Sequence, residues 1–302
     1  MIHSPGFHCS LFFDLGGPQA STILTSSINL INPPHNEFIM KKIISAAALF
    51  FLSSLTQAAI QGKEVTYTAN GTALKGYLAY DDAITHNHPA VLVVHEWWGL
   101  DDYARKRAKM LAELGYTALA VDMYGEGRQA HHPDEASRYS GELKKNLPLA
   151  KKRFEAALNF LQKQENVDPK NIAALGYCFG GSVALEMARQ GEDLKGVASF
   201  HGGLATEHPA QRGKVKAQII SFTGTADPMI PAEQVTAFKR EMENAGVNYK
   251  AVTFPGAKHS FTNPEADDYG RKFNLPLAYD AQADKASWRE TERFLAEVFK
   301  AR

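Results

Sequence analysis

"NIAALGYCFGGSVALEMARQG", residues 171–191, decides the fold. Its first part, through Tyr177, is a continuous apolar run and predicts a strand buried on both faces. Its second part, from Gly180, has helical period and a closing glycine at 191, so it predicts a helix. Between them stands Cys178, bracketed by Gly176 and Gly180. A strand that turns sharply into a helix brings together the residues two before and two after the turn. Both then need to lack a Cβ. Residues 176–180 therefore read as a G-x-nucleophile-x-G elbow with Cys where Ser is usual. A glycine-rich turn around a buried cysteine is the other reading of the same residues. At an elbow the side chain stands above the sheet at a helix N-terminus, whose partial positive charge favours a thiolate.

Working outward, strands and helices alternate on both sides of this unit. Residues 63–81 alternate apolar and polar positions around Asn70-Gly71, a strong hairpin signal. "AVLVVHE" (90–96), "YTALAVDMYG" (116–125), "LKGVASFHG" (194–202), "AQIISFTGTAD" (217–227) and "NYKAVTFPGAKH" (248–259) read as further strands. Helices are predicted over 101–114, over 134–165 with a break near Pro148, over 231–246, and over 284–301. The pattern predicts one α/β domain, a doubly wound, mostly parallel sheet opened by an antiparallel hairpin. In such sheets sites form at the carboxyl ends of strands. The residues to inspect are thus Glu96, Asp122, Cys178, His201, Asp227 and His259.

The N-terminus does not continue this pattern. Residues 1–39 contain no Lys or Arg and show no period. "MKKIISAAALFFLSSLTQAA" (40–59) then has the layout of an export signal. Lys41 and Lys42 precede an apolar stretch from Ile43 to Leu55, and Thr56-Gln57-Ala58 offers small residues for cleavage before Ala59. The apolar stretch is short for a membrane span, which takes about 20 residues. An N-terminal apolar helix packed on the domain is the competing reading. The expectation is that Met40 is the true start, that 40–58 is a signal peptide, and that the folded domain is 59–302. The mature protein would then be periplasmic or secreted, without a stable membrane anchor. Cys178 would be its only cysteine, because Cys9 would be lost. In an oxidising compartment a lone thiol is a liability unless it is buried or has chemistry to do. A net charge of zero gives no sign of a nucleic-acid partner, and no Cys/His spacing suits zinc. A monomer without metal or organic cofactor is expected.

An elbow nucleophile needs a base and an acid, in chain order nucleophile, acid, base. Asp227 in "TGTADPMIP" and His259 in "GAKHSF" follow Cys178 in that order, each just past a strand. Singly, Asp227 could cap a turn before Pro228 and His259 could be a solvated loop residue. His201 also ends a strand and is the rival base. The backbone N–H groups of Trp97 and Phe179 are the predicted oxyanion donors. Trp98 and Tyr124 are candidates for an aromatic substrate pocket, or for core.

Together "HEWWGL", "VDMYGEGRQA", "GYCFGG", "TGTADPMIP" and "AKHSF" make residues 63–300 resemble the dienelactone hydrolase family of α/β-hydrolases. The resemblance implies a Cys178–Asp227–His259 triad and ring-opening hydrolysis of a lactone or ester, of carboxymethylenebutenolidase type, through a cysteine acyl-enzyme. It also implies that Glu96 contacts the resting thiol and takes its proton when substrate enters. Family members that act on dienelactone hold its carboxylate with two arginines. Arg128 matches one, with two extra residues before it. The other position is Asn263, so a charge-assisted contact is missing and a less charged ester is expected. A non-catalytic or redox-sensing binding protein on the same fold is the alternative function.

Overall fold

A computed structural model describes residues 59–300. The expectations for residues 1–39 and for the signal segment 40–58 fall outside them. The hairpin forms as predicted, with β1 at Ile60–Ala69 and β2 at Thr72–Asp81. Asn70 and Gly71 both adopt positive φ, 49° and 80°. That is the combination a two-residue type I′ turn requires. Six further strands follow: β3 (His88–Val94), β4 (Thr117–Val121), β5 (Val167–Tyr177), β6 (Gly196–Phe200), β7 (Gln218–Gly224) and β8 (Tyr249–Phe254). They join one eight-stranded sheet in the order β1-β2-β4-β3-β5-β6-β7-β8. Pairing is antiparallel at β1/β2 and β2/β4 and parallel everywhere else.

Seven helices connect them among the described residues: α1 (Asp102–Glu113), α2 (Pro133–Lys145), α3 (Leu147–Leu161), α4 (Phe179–Arg189), α5 (Ala232–Ala245), α6 (Ala266–Phe273) and α7 (Ala281–Lys300). The break expected near Pro148 is real. Asn146 ends α2 and caps α3 through its side chain, which accepts from the Leu149 N–H. The helices cover both faces. Leu92 and Val94 of β3 point into a core with Phe154 of α3, Val183 of α4 and Phe238 of α5. Val91 and Val93 point the other way, into a core with Leu111 of α1 and Leu295 of α7. This two-sided burial is why the central strands are continuously apolar rather than alternating.

Two differences from the sequence reading are physical. β3 stops at Val94, so His95 and Glu96 have already left the sheet. Helix α6 was not expected. It is only eight residues long and contains Gly270, so it is too short for periodicity to separate it from loop. Tyr269 and Phe273 fix it by stacking on Trp98.

Candidate active site

The turn from β5 into α4 has the tight geometry its glycines suggested. Cys178 sits at φ 52°, ψ −116°, a conformation that costs about 1–3 kcal/mol and persists only where the surroundings impose it. A Cβ on Gly176 would lie 2.0 Å from the Gly180 carbonyl oxygen, and one on Gly180 would lie 2.2 Å from that of Val94. Both glycines are obligatory for the turn. The Cys178 N–H is held twice, by the Phe200 carbonyl at 2.9 Å and by His201 Nδ1 at 3.1 Å.

The loops after β7 and β8 bring two more side chains to this turn. His259 Nδ1 donates to Asp227 Oδ2 at 2.8 Å, and its Nε2 lies 3.1 Å from Cys178 Sγ. Asp227 Oδ1 accepts from the Met229 N–H at 2.8 Å. The turn-capping role and the histidine contact therefore coexist in one carboxylate. Both Asp227 and His259 are buried. Burial alone would push the His259 pKa down. The charge of an ionised Cys178, with the Asp227 hydrogen bond and charge, instead holds it at about 10.

His201 is fully committed elsewhere. Its Nδ1 accepts from the Cys178 N–H, so Nε2 carries the proton and donates to Thr262 Oγ1 at 2.7 Å. Burial and the nearby His259 and Arg107 charges keep its pKa well below the usual value. The neutral ring cannot serve as base toward Cys178, because its only free-electron nitrogen faces a backbone donor. From Thr262 the chain of bonds continues to Tyr103 at 2.6 Å and on to Arg107. Arg107 in turn bonds the Thr262 carbonyl and Asp284.

Glu96 departs from its expected contact. Its two oxygens accept from Ser260 Oγ at 2.8 Å and from Asn263 Nδ2 at 2.6 Å. The hydrogen-bond partner of the Cys178 thiol is His259, not Glu96. The reason is local: Ser260 and Asn263 follow His259 in the same loop, and each holds one oxygen of the carboxyl group. Burial still raises the Glu96 pKa, against those two hydrogen bonds and the His259 and Arg107 charges. Asp122, another strand-end acid, accepts backbone N–H bonds from Lys75, Tyr124, Gly125 and Gly127. It pins the 122–127 loop to β2.

A cavity of about 220 Å³ opens over the thiol, walled by Trp97, Ser140, Cys178, Ile230, His259 and Leu277, among others. The N–H groups of Trp97 and Phe179 donate to no protein acceptor among the described hydrogen bonds. The Trp97 N–H shares its peptide with the Glu96 carbonyl, which accepts from His95 Nδ1, and the next carbonyl, that of Trp97, accepts from the Tyr124 hydroxyl at 2.8 Å. Tyr124 is itself buried, and so is Trp98, which stacks on Tyr269. Neither lines the cavity. Arg128 does not reach it either. Its guanidinium bonds the Tyr124 and Gly125 carbonyls of its own loop and lies over Tyr139. Sequence reasoning did not find Ser140, Lys144, Ser182, Met229 or Leu277 as cavity wall, because no motif distinguishes them.

Residues 74–299 match the sequence model of the dienelactone hydrolase family. The chain belongs to that family. Family relatives agree in extent. Protein usf of Aquifex pyrophilus is 26% identical over 240 residues, 78% of this chain and 98% of its own length. A Bradyrhizobium protein described as a probable 2-oxo-3-(5-oxofuran-2-ylidene)propanoate lactonase is 25% identical over 75% of this chain and 90% of its own length. Among solved structures, the dienelactone hydrolase-like promiscuous phosphotriesterase P91 from metagenomic libraries superposes with a TM-score of 0.75. It shares 34% identity, with 80% of this chain and 99% of that one covered. As a family member, the chain is a hydrolase of ester or lactone bonds.

Proposed function

We propose that the protein hydrolyses a small ester or lactone through a Cys178 acyl-enzyme. The observation that carries this is the unbroken hydrogen-bonded line Asp227–His259–Cys178 beneath an open cavity. Asp227 orients the ring so that Nε2 faces the sulfur, and the Sγ proton rests on Nε2 as a thiolate–imidazolium pair. The thiolate attacks the carbonyl carbon, and the carbonyl electron pair moves to oxygen, toward the Trp97 and Phe179 N–H groups. When the tetrahedral adduct collapses, the C–O bond breaks and His259 returns the proton to the leaving oxygen. Water, deprotonated by His259, then cleaves the thioester and regenerates the thiolate–imidazolium pair.

Two features argue for a substrate other than dienelactone itself. Asn263 is occupied by Glu96, and Arg128 by backbone carbonyls. At these two positions no pair of guanidinium groups is left to clamp a substrate carboxylate. Residues 40–58 are proposed as an export signal, which N-terminal sequencing of the exported protein would test. A mature chain beginning upstream of Met40 would refute it.

The deciding experiment is Cys178→Ala. Turnover of small aryl esters should fall by about 10³-fold or more. An electrophilic ester analogue should label the parent at Cys178, as read by peptide mass spectrometry. Full activity without Cys178 would leave the non-catalytic reading of the thiol. Asp227→Asn should lower kcat by about 10²–10⁴-fold, because the amide misorients the ring.

A further inference from the structure

The cavity over Cys178 is small, and it does not end at its own walls. A second cavity of about 460 Å³ adjoins it and shares Lys144, Phe179, Ser182, Gly203 and Met229 with it. It runs between the start of α3, one flank of α4 and the 205–208 loop. Leu147, Ala150, Val183 and Met187 make much of its surface apolar. Small-molecule sites usually occupy about 300–1,000 Å³. The Cys178 compartment alone falls below that range, and the pair falls within it.

The two compartments differ in which side of the scissile bond they can serve. The leaving oxygen must receive its proton from His259, so the alcohol part lies beside His259, Leu277 and Trp97. None of those three lines the second cavity. The acyl part therefore points the other way, past Phe179 and Ser182. Given the Cys178 mechanism proposed above, on which this rests, we infer that the second cavity is an acyl-chain site. The substrate is an open-chain ester whose acyl group carries an extended, mainly apolar arm.

The test is a p-nitrophenyl ester series from acetate to octanoate, with methyl to hexyl acetates as the alcohol series. The kcat/KM for hexanoate should exceed that for acetate at least tenfold. Val183→Trp on α4 and Ala205→Trp on the exposed loop each place bulk in the chamber. Each should cut the hexanoate-to-acetate ratio about tenfold, and neither should change the ratio within the alcohol series. Circular dichroism checks that each variant folds, and their separate elements keep one informative if the other does not. The inference is overturned by a parent ratio of one or less, by a ratio that both folded variants leave alone, or by a change confined to the alcohol series. Cys178→Ala separates the two levels. If it retains hexanoate turnover, the mechanism falls. If it loses all turnover while the acyl profile is flat, only the acyl-chain site falls.

Discussion

Burial alone would strip His259 of its proton, and the charges around it reverse that. The groups facing it are Cys178, Asp227, the neutral ring of His201 and the carboxyl of Glu96. The first two win, and its pKa rises to about 10 from 6.5. A raised folded-state pKa contributes stability that is complete below pH 6.5 and is lost as pH climbs through about 10. The urea midpoint should therefore fall between pH 7 and 10, and fall less steeply in His259→Gln. Equal slopes in the two proteins would show that His259 is not charged by its partners. Cys178, Asp227 and His259 were legible because each follows closely on a strand and their order in the chain is constrained. The Glu96 contacts were not. They depend on which side chains of the 260–263 loop turn inward, and nothing in a loop's sequence sets that. His201 looked like a base for the same reason: its position was legible and its hydrogen bonds were not.

At the scale of elements, the elbow is a steric object first. Gly71 and Gly180 make the point by contrast. A Cβ on Gly71 would meet nothing within 4 Å, so only its positive φ resists substitution. Gly71→Ala should cost about 1–2 kcal/mol. A Cβ on Gly180 would collide with the carbonyl oxygens of Val94 and His95 at 2.2 and 2.6 Å. Backbone cannot give way cheaply in a packed sheet, so Gly180→Ala should cost about 3 kcal/mol or more. Urea denaturation of both variants decides it, and equal losses would mean that the elbow is not as tight as the structure has it. The same contrast explains which elements the sequence reveals. Hairpin, central strands and elbow rest on local rules of turn chemistry, two-sided burial and glycine space. Helix α6 rests on tertiary stacking against Trp98, which no local pattern carries.

At the scale of the whole molecule, no single unit owns the site. Cys178 follows β5, Asp227 follows β7, His259 follows β8, and Trp97 and Glu96 follow β3. The His201–Thr262–Tyr103–Arg107–Asp284 chain ties the elbow to α1 and α7 on the far side of the sheet. Breaking the sheet anywhere between β3 and β8 thus separates groups that must stand about 3 Å apart. Activity should be lost together with the fold, not before it. Trp97 and Trp98 lie beside the site and Trp288 lies in α7, so their combined fluorescence reports both the site and the helix behind the sheet. For a chain starting at Ala59, urea titrations of ester hydrolysis, tryptophan fluorescence and far-ultraviolet circular dichroism should share one midpoint, as a cooperative domain requires. Activity that vanishes at clearly lower urea than the two spectroscopic signals would show that the loops after β7 and β8 open on their own. The Asp227–His259 pair would then be a locally unstable device rather than a product of the whole sheet.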